Sequence, residues 1–236
     1  MLIPAASGIR RDGRAPCADR HAFDGPDSDH RPMIIAEHLV LLALDPEAGS
    51  LAPRVRREAL ERGVRACLLC DLAISRRIGR RGRGIARLDD LPDYHPLLES
   101  AARSLPAREV SLVEALAGVG SALGSVLPRL IDSLLARDVL VRQRRGLLRR
   151  RYPVRSMRAL HEVHHRLQDL IVAPQPQAPS IALAMVADSC GVLEARTTTE
   201  ELAGVRARLA ELRRAPVASG PDLSLLYDIA AASARR

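Results

Sequence analysis

The stretch Gly63-Val64-Arg65-Ala66-Cys67-Leu68-Leu69-Cys70-Asp71-Leu72-Ala73-Ile74 decides the fold class. From Ala66 to Ile74 its apolar residues fall on every side of a helical wheel, and a helix of that kind sits at the centre of a bundle. The helix is expected to run over about Pro53–Ser75. Cys67 and Cys70 have the C-x-x-C spacing of a redox pair. Mid-helix among Leu and Ala, however, they read as small packed side chains, and no second C-x-x-C completes a four-cysteine zinc site.

Outward from this centre, Ile34, Ile35, His38, Leu39, Leu41, Leu42 and Leu44 predict a helix from Met33, which Asp45-Pro46-Glu47-Ala48-Gly49 ends. A basic loop is expected over Arg76–Arg87. Its Gly79, Gly82 and Gly84 do not make a phosphate loop, because no G-K-[ST] follows. Helices are predicted near Pro96–Ser104, Ser111–Val119 and Ser121–Arg137. Val139–Arg142 and Leu147–Arg149 predict a β-hairpin turning at Arg145-Gly146, the only sheet expected. Helices over Ser156–Val172, Ser180–Ala195, Thr199–Arg214 and Pro221–Ala234 follow, with Pro174–Pro179 as a stiff linker. Residues 1–32 mix Gly, Pro, Asp and Arg without period and predict a disordered tail before one domain over 33–236, with Met33 as an alternative start. The fold class is mainly α.

Composition agrees. With 236 residues, 47% of them apolar, three tyrosines, one phenylalanine and no tryptophan, the core must come from Leu, Ala, Val and Ile, which favours helices over a β-sandwich. All 36 basic residues are arginine, as expected of a GC-rich bacterial coding sequence, and the formal charge is +8. A basic surface attracts phosphate-bearing partners. Nucleic acid is not expected among them, because base-stacking aromatics are nearly absent. Cys17, Cys67, Cys70 and Cys190 read as free thiols in a reducing cytoplasm. No apolar run reaches the roughly 18 residues of a membrane span, the longest being Leu39–Leu44 and Ile181–Ala187, so any membrane contact is expected to be peripheral.

Two motifs bear on chemistry. Between Val139 and Arg158 there are eight arginines and no acidic residue, and Arg76, Arg77, Arg80, Arg81, Arg83 and Arg87 form a second basic group. Near an anionic leaflet each such charge contributes about 1 kcal/mol; the alternative is a merely solvated surface. His161-Glu162-Val163-His164-His165 matches the zincin pattern H-E-x-x-H. Its histidines project beside the stripe Leu160, Val163, Leu167 and Ile171, toward the polar face, which predicts a solvated cluster. A zinc peptidase, with Glu194 or Glu200 as third ligand, stays as the enzyme alternative; otherwise no catalysis and no cofactor are expected.

From Met33 onward the chain resembles the Golgi phosphoprotein 3 family, including its bacterial branch. The resemblance is carried by Ile34–Asp45, Gly63–Ala73, Leu134-Leu135-Ala136-Arg137-Asp138-Val139-Leu140 and Arg149-Arg150-Arg151-Tyr152-Pro153, in order and spacing. It implies a single helical domain around a four-helix core, with one hairpin used in self-association. It also implies a peripheral membrane adaptor: family members at the Golgi recognise phosphatidylinositol 4-phosphate and hold glycosyltransferases by their cytosolic tails. At the family's lipid pocket Arg56 stands in the tryptophan position, Arg65 keeps one arginine, and Gly124 and Leu127 replace two others. Lipid-phosphate contacts are therefore expected from Arg56, Arg65 and Arg129, beside a basic flank of Arg142, Arg144, Arg145, Arg149, Arg150 and Arg151. The partners expected are anionic membrane lipid, cytosolic tails of membrane enzymes and a second copy of the chain. A protein-interaction scaffold with lipid selectivity lost is the alternative.

Overall fold

In a computed structural model, described over residues 31–88, 95–145, 149–214 and 222–234, the apolar stretch forms most of α2, Arg57–Ile74. It begins later than expected because Arg54 takes a positive φ of 73° and Arg56, in extended backbone, is the N-cap. From Gly63 to Ala73 all but Arg65 and Asp71 are buried. α2 packs on α1 (Ile35–Ala43), α7 (Ala178–Ser189) and α10 (Leu223–Ala234), and these four helices make the centre. Cys67, Cys70 and Cys190 are free thiols buried in it. Of the tail expected over 1–32, all but Arg31 and Pro32 lies outside the described residues.

Around the centre stand α3 (Pro96–Ser104), α4 (Leu112–Leu123), α5 (Val126–Ala136), α6 (Met157–Val172), the short α8 (Val192–Arg196) and α9 (Thr199–Arg214). α3, α4 and α6 start where a side chain satisfies an orphan amide. Ser111 and Glu114 form a reciprocal box on α4, Ser156 Oγ accepts from Ala159 N on α6, and His95 Nδ1 accepts from Leu97 N on α3. No single helix among the described residues is long and apolar enough to cross a membrane.

Three expectations need correcting. The basic loop over Arg76–Arg87 contains a second hairpin, β1 (Ile78–Arg81) with β2 (Gly84–Arg87), so the sheet predicted near Arg145 is not the only one. Ile78 and Ile85 bury into the core, Val110 bridges to Ile85, and Glu109 accepts from the Arg83 and Gly84 amides, which fixes the turn. The break between α4 and α5 falls at Gly124 rather than before Ser121: Gly124 has φ +65° and ψ −137°, a conformation essentially confined to glycine that breaks the helix, and the two helices bend by 62° there. The helix expected over Ser180–Ala195 divides at Cys190-Gly191 into α7 and α8.

The predicted hairpin exists but is displaced toward the C-terminus. Its strands are β3 (Gln143–Arg145) and β4 (Arg149–Arg151), paired Gln143↔Arg151, Arg144↔Arg150 and Arg145↔Arg149. The Leu140↔Val154 bridge continues that register, so the ladder reaches back to a buried Leu140. Its base is tied to the loop after α1, where Tyr152 N donates to Gly49 O and Val154 N to Pro46 O.

Candidate functional site

A cleft of about 520 Å³ opens where the first half of α2 meets the α4–α5 break, lined by Arg57, Glu58, Glu61, Arg62, Arg65 and Ser125. Spacings of four residues (57, 61 and 65; 58 and 62) place these α2 positions on one stripe of the helix, so the periodicity alone groups them. Arg65 lies across Gly120 of α4: a Cβ there would collide with its guanidinium. Its Nε is buried with no hydrogen-bond partner among the described residues. Arg62 Nε donates to Ser233 O at the end of α10, 3.2 Å away.

Glu61 reaches across the cleft to the start of α5. Its Oε2 accepts from Val126 N at 3.1 Å, and its other oxygen accepts from the Ser125 hydroxyl. Leu127, one of the positions where the family pocket carries arginine, is buried, and Gly124, the other, holds a backbone conformation that an arginine rarely adopts.

Of the three residues expected to grip lipid phosphate, only Arg65 lines this cleft. Arg56 projects into solvent one position before α2, 4.0 Å from Glu58, and Arg129 is exposed on α5. Among the flank arginines, Arg142 pairs with Asp132 at 3.1 Å, Arg151 reaches Ala48 O at 3.4 Å, and Arg150 is exposed. Arg144, Arg145 and Arg149 are placed by their backbone in β3 and β4.

Arg77, Arg80 and Arg81 of the second basic group are taken up by the fold. Arg77 is buried against Glu99 at 3.8 Å, and Arg81 donates to Ala107 O. Arg80 clamps the first hairpin to the start of α10 through Asp222, Ser224 and Asp228, and hydrogen bonding to Asp228 raises its pKa further. In the string these look like free charge, because their partners lie far along the chain.

The H-E-x-x-H segment lies on α6 with His161, His164 and His165 exposed. Glu162 accepts from His38 Nε2 and from Arg166, and the hydrogen bond to His38, outweighing partial burial, holds its carboxyl down at about 2. A carboxylate held that low by two partners is a poor general base near neutral pH. Glu194 and Glu200, the guessed third ligands, are both exposed.

A polar centre that sequence reasoning missed surrounds Glu37, which is fully buried on α1. It accepts from Ile34 N (3.2 Å), Ser133 Oγ (2.7 Å) and Arg137 Nη1 (3.0 Å), and faces His95 Nε2 at 3.6 Å. Burial alone would raise its pKa, but hydrogen bonds from His95 and Ser133 and the Arg137 charge together hold it below the ordinary carboxylate value. The spacing Glu37…Arg137 carries no local signal that could have announced it.

None of the curated proteins matches the chain. A family profile does match, over residues 35–228, from the first turn of α1 into α10, and so spans both hairpins, the cleft and the Glu37 centre. On that match the chain belongs to the Golgi phosphoprotein 3 (GPP34) family.

Proposed function

We propose that the protein is a non-catalytic, peripheral membrane adaptor, with residues 33–236 as its working domain, and that it attaches to anionic phospholipid mainly by charge. The observation that carries this reading is the β3–β4 hairpin. Five of its six strand residues are arginine, and the register sets arginine opposite arginine at two of three pairs. Like charges directly opposite weaken a ladder, and an anionic surface relieves that repulsion. With about 1 kcal/mol per arginine near such a surface, four of them give roughly a thousandfold partition. Arg65 and Arg56, with Arg129, are assigned to auxiliary phosphate contact. Selective grip on phosphatidylinositol 4-phosphate is not part of the reading, since Gly124 and Leu127 replace two of the pocket's arginines.

The short two-stranded hairpin also suits pairing with a second copy, and cytosolic tails of membrane enzymes are assigned to another face of the protein. Sedimentation with phosphatidylserine vesicles tests the lipid reading. Binding should be strong at low ionic strength and fall steeply toward physiological salt. Replacing Arg144, Arg145, Arg149 and Arg150 together by Gln should abolish most of it. No binding of the full chain to any anionic vesicle at low salt overturns the proposal and leaves a protein-binding scaffold.

A further inference from the structure

The cleft beside α5 already contains an anion, the chain's own Glu61. A helix start is electropositive and presents unpaired amides, so it attracts negative charge. α5 has no acidic residue in its first turn, and its N-cap, Ser125, does not cap with its own side chain. The hydroxyl of Ser125 donates to Glu61 instead, and Val126 N, the first amide of the helix, donates to the second carboxylate oxygen. Both Glu61 oxygens are thus engaged on α5.

The same cleft holds cations that Glu61 does not neutralise by contact. Arg57 lies one turn before it and Arg65 one turn after, both on the cleft wall. Arg65 Nε, buried and without a hydrogen-bond partner, is a donor held at the cleft wall against Gly120. The site has the donors of an anion pocket, with a fixed carboxylate at the helix start. A dianionic phosphate monoester entering it would have to approach that carboxylate within a few ångströms, where the two like charges repel.

We propose that Glu61 is a specificity-determining residue: it occupies the α5 start as a resident anion and bars dianionic phosphomonoester head groups from the cleft, leaving Arg65 and the hairpin arginines to meet the phosphodiester charge of the lipid surface. This rests on the lipid reading above for its biological sense, but its physical content is separable. Phosphomonoester is the chemistry excluded, whether it comes from a lipid head group or from free phosphate.

The experiment compares the full-length chain with Glu61→Gln, which keeps an acceptor oxygen for the helix start, and Glu61→Ser, which also opens space. Each is tested on phosphatidylcholine vesicles doped with phosphatidic acid or phosphatidylserine at matched surface potential, and on inorganic phosphate by calorimetry, with thermal melts confirming the fold. The unsubstituted chain should bind both anionic vesicles alike and take up no phosphate. The variants should prefer phosphatidic acid by about tenfold or more and gain measurable phosphate binding, as expected for recovering one or more charge-assisted contacts. A phosphatidic acid preference already present in the unsubstituted chain overturns the proposal. So does a folded Glu61→Gln with neither a lipid preference nor phosphate binding. Should the unsubstituted chain bind no anionic vesicle, the lipid reading fails, yet the phosphate arm still decides the role of Glu61: gain supports it and no gain overturns it.

Discussion

His38 Nε2 lies 3.2 Å from Glu162 Oε1, joining α1 to α6 across 124 positions of chain. The other ring nitrogen of His38 faces Ile34 O at 3.0 Å, so both ring nitrogens lie within hydrogen-bonding distance of an oxygen. The glutamate that the H-E-x-x-H pattern nominates as a catalytic base is instead a latch between two helices.

That latch has a pH signature. Glu162 is held at about 2, first by its hydrogen bond to His38. A carboxyl depressed in the fold contributes stability above its unfolded pKa and loses it as pH falls through the folded one. Thermal melts should therefore show a loss between about pH 4.5 and about pH 2, and Glu162→Gln should flatten that slope while removing about 1 kcal/mol at neutral pH, modest because the carboxylate is part-exposed. An unchanged acid slope in the variant would sink the latch.

The buried Glu37 centre should be far more sensitive. Glu37→Ala removes at once the acceptor of Arg137 Nη1, Ser133 Oγ and Ile34 N and the carboxylate facing His95, and removing one partner of a buried ionic group costs about 3 kcal/mol or more. Denaturant unfolding should show a lower midpoint at an unchanged slope. A shift under about 1 kcal/mol would mean that water replaces the carboxylate freely.

Gly49 governs the base of the basic hairpin. It has φ +61°, its carbonyl accepts from Tyr152 N, and a Cβ there would overlap the Tyr152-Pro153 peptide. Gly49→Ala should cost about 2 kcal/mol. Hydrogen exchange at the Tyr152 and Val154 amides should rise more than exchange in α2.

The three core thiols should be silent. Burial pushes Cys67 and Cys70 well above the ordinary thiol value and Cys190 to about 11. In a Cys17→Ser background a disulfide reagent should react only as fast as the protein unfolds, which rapid native-state labelling would refute.

The helical class, the central place of Ala66–Ile74 and the existence of a basic hairpin near Arg145 were all legible along the chain, because apolar periodicity and turn chemistry act over a few residues. The first hairpin was not. Gly79, Gly82 and Gly84 read as loop until Val110 and Glu109, more than twenty residues on, supply a bridge and a cap. The cleft was half legible: the Arg57–Arg65 stripe follows from helix geometry, but Ser125 and the Glu61 contact to Val126 come from another element.

The sequence by itself determined which segments are helical, which helix is central, that the chain is basic through arginine alone, and the resemblance that the family profile bears out. Tertiary structure alone decided which charges are free. Arg77, Arg80 and Arg137 look like surface cations in the string, yet each meets acceptors brought close only by folding. Glu61 and Glu162 likewise take their roles from α5 and α1. Hydrogen bonds and ion pairs act over a few ångströms in space, whereas separation along the chain leaves no periodic trace of them.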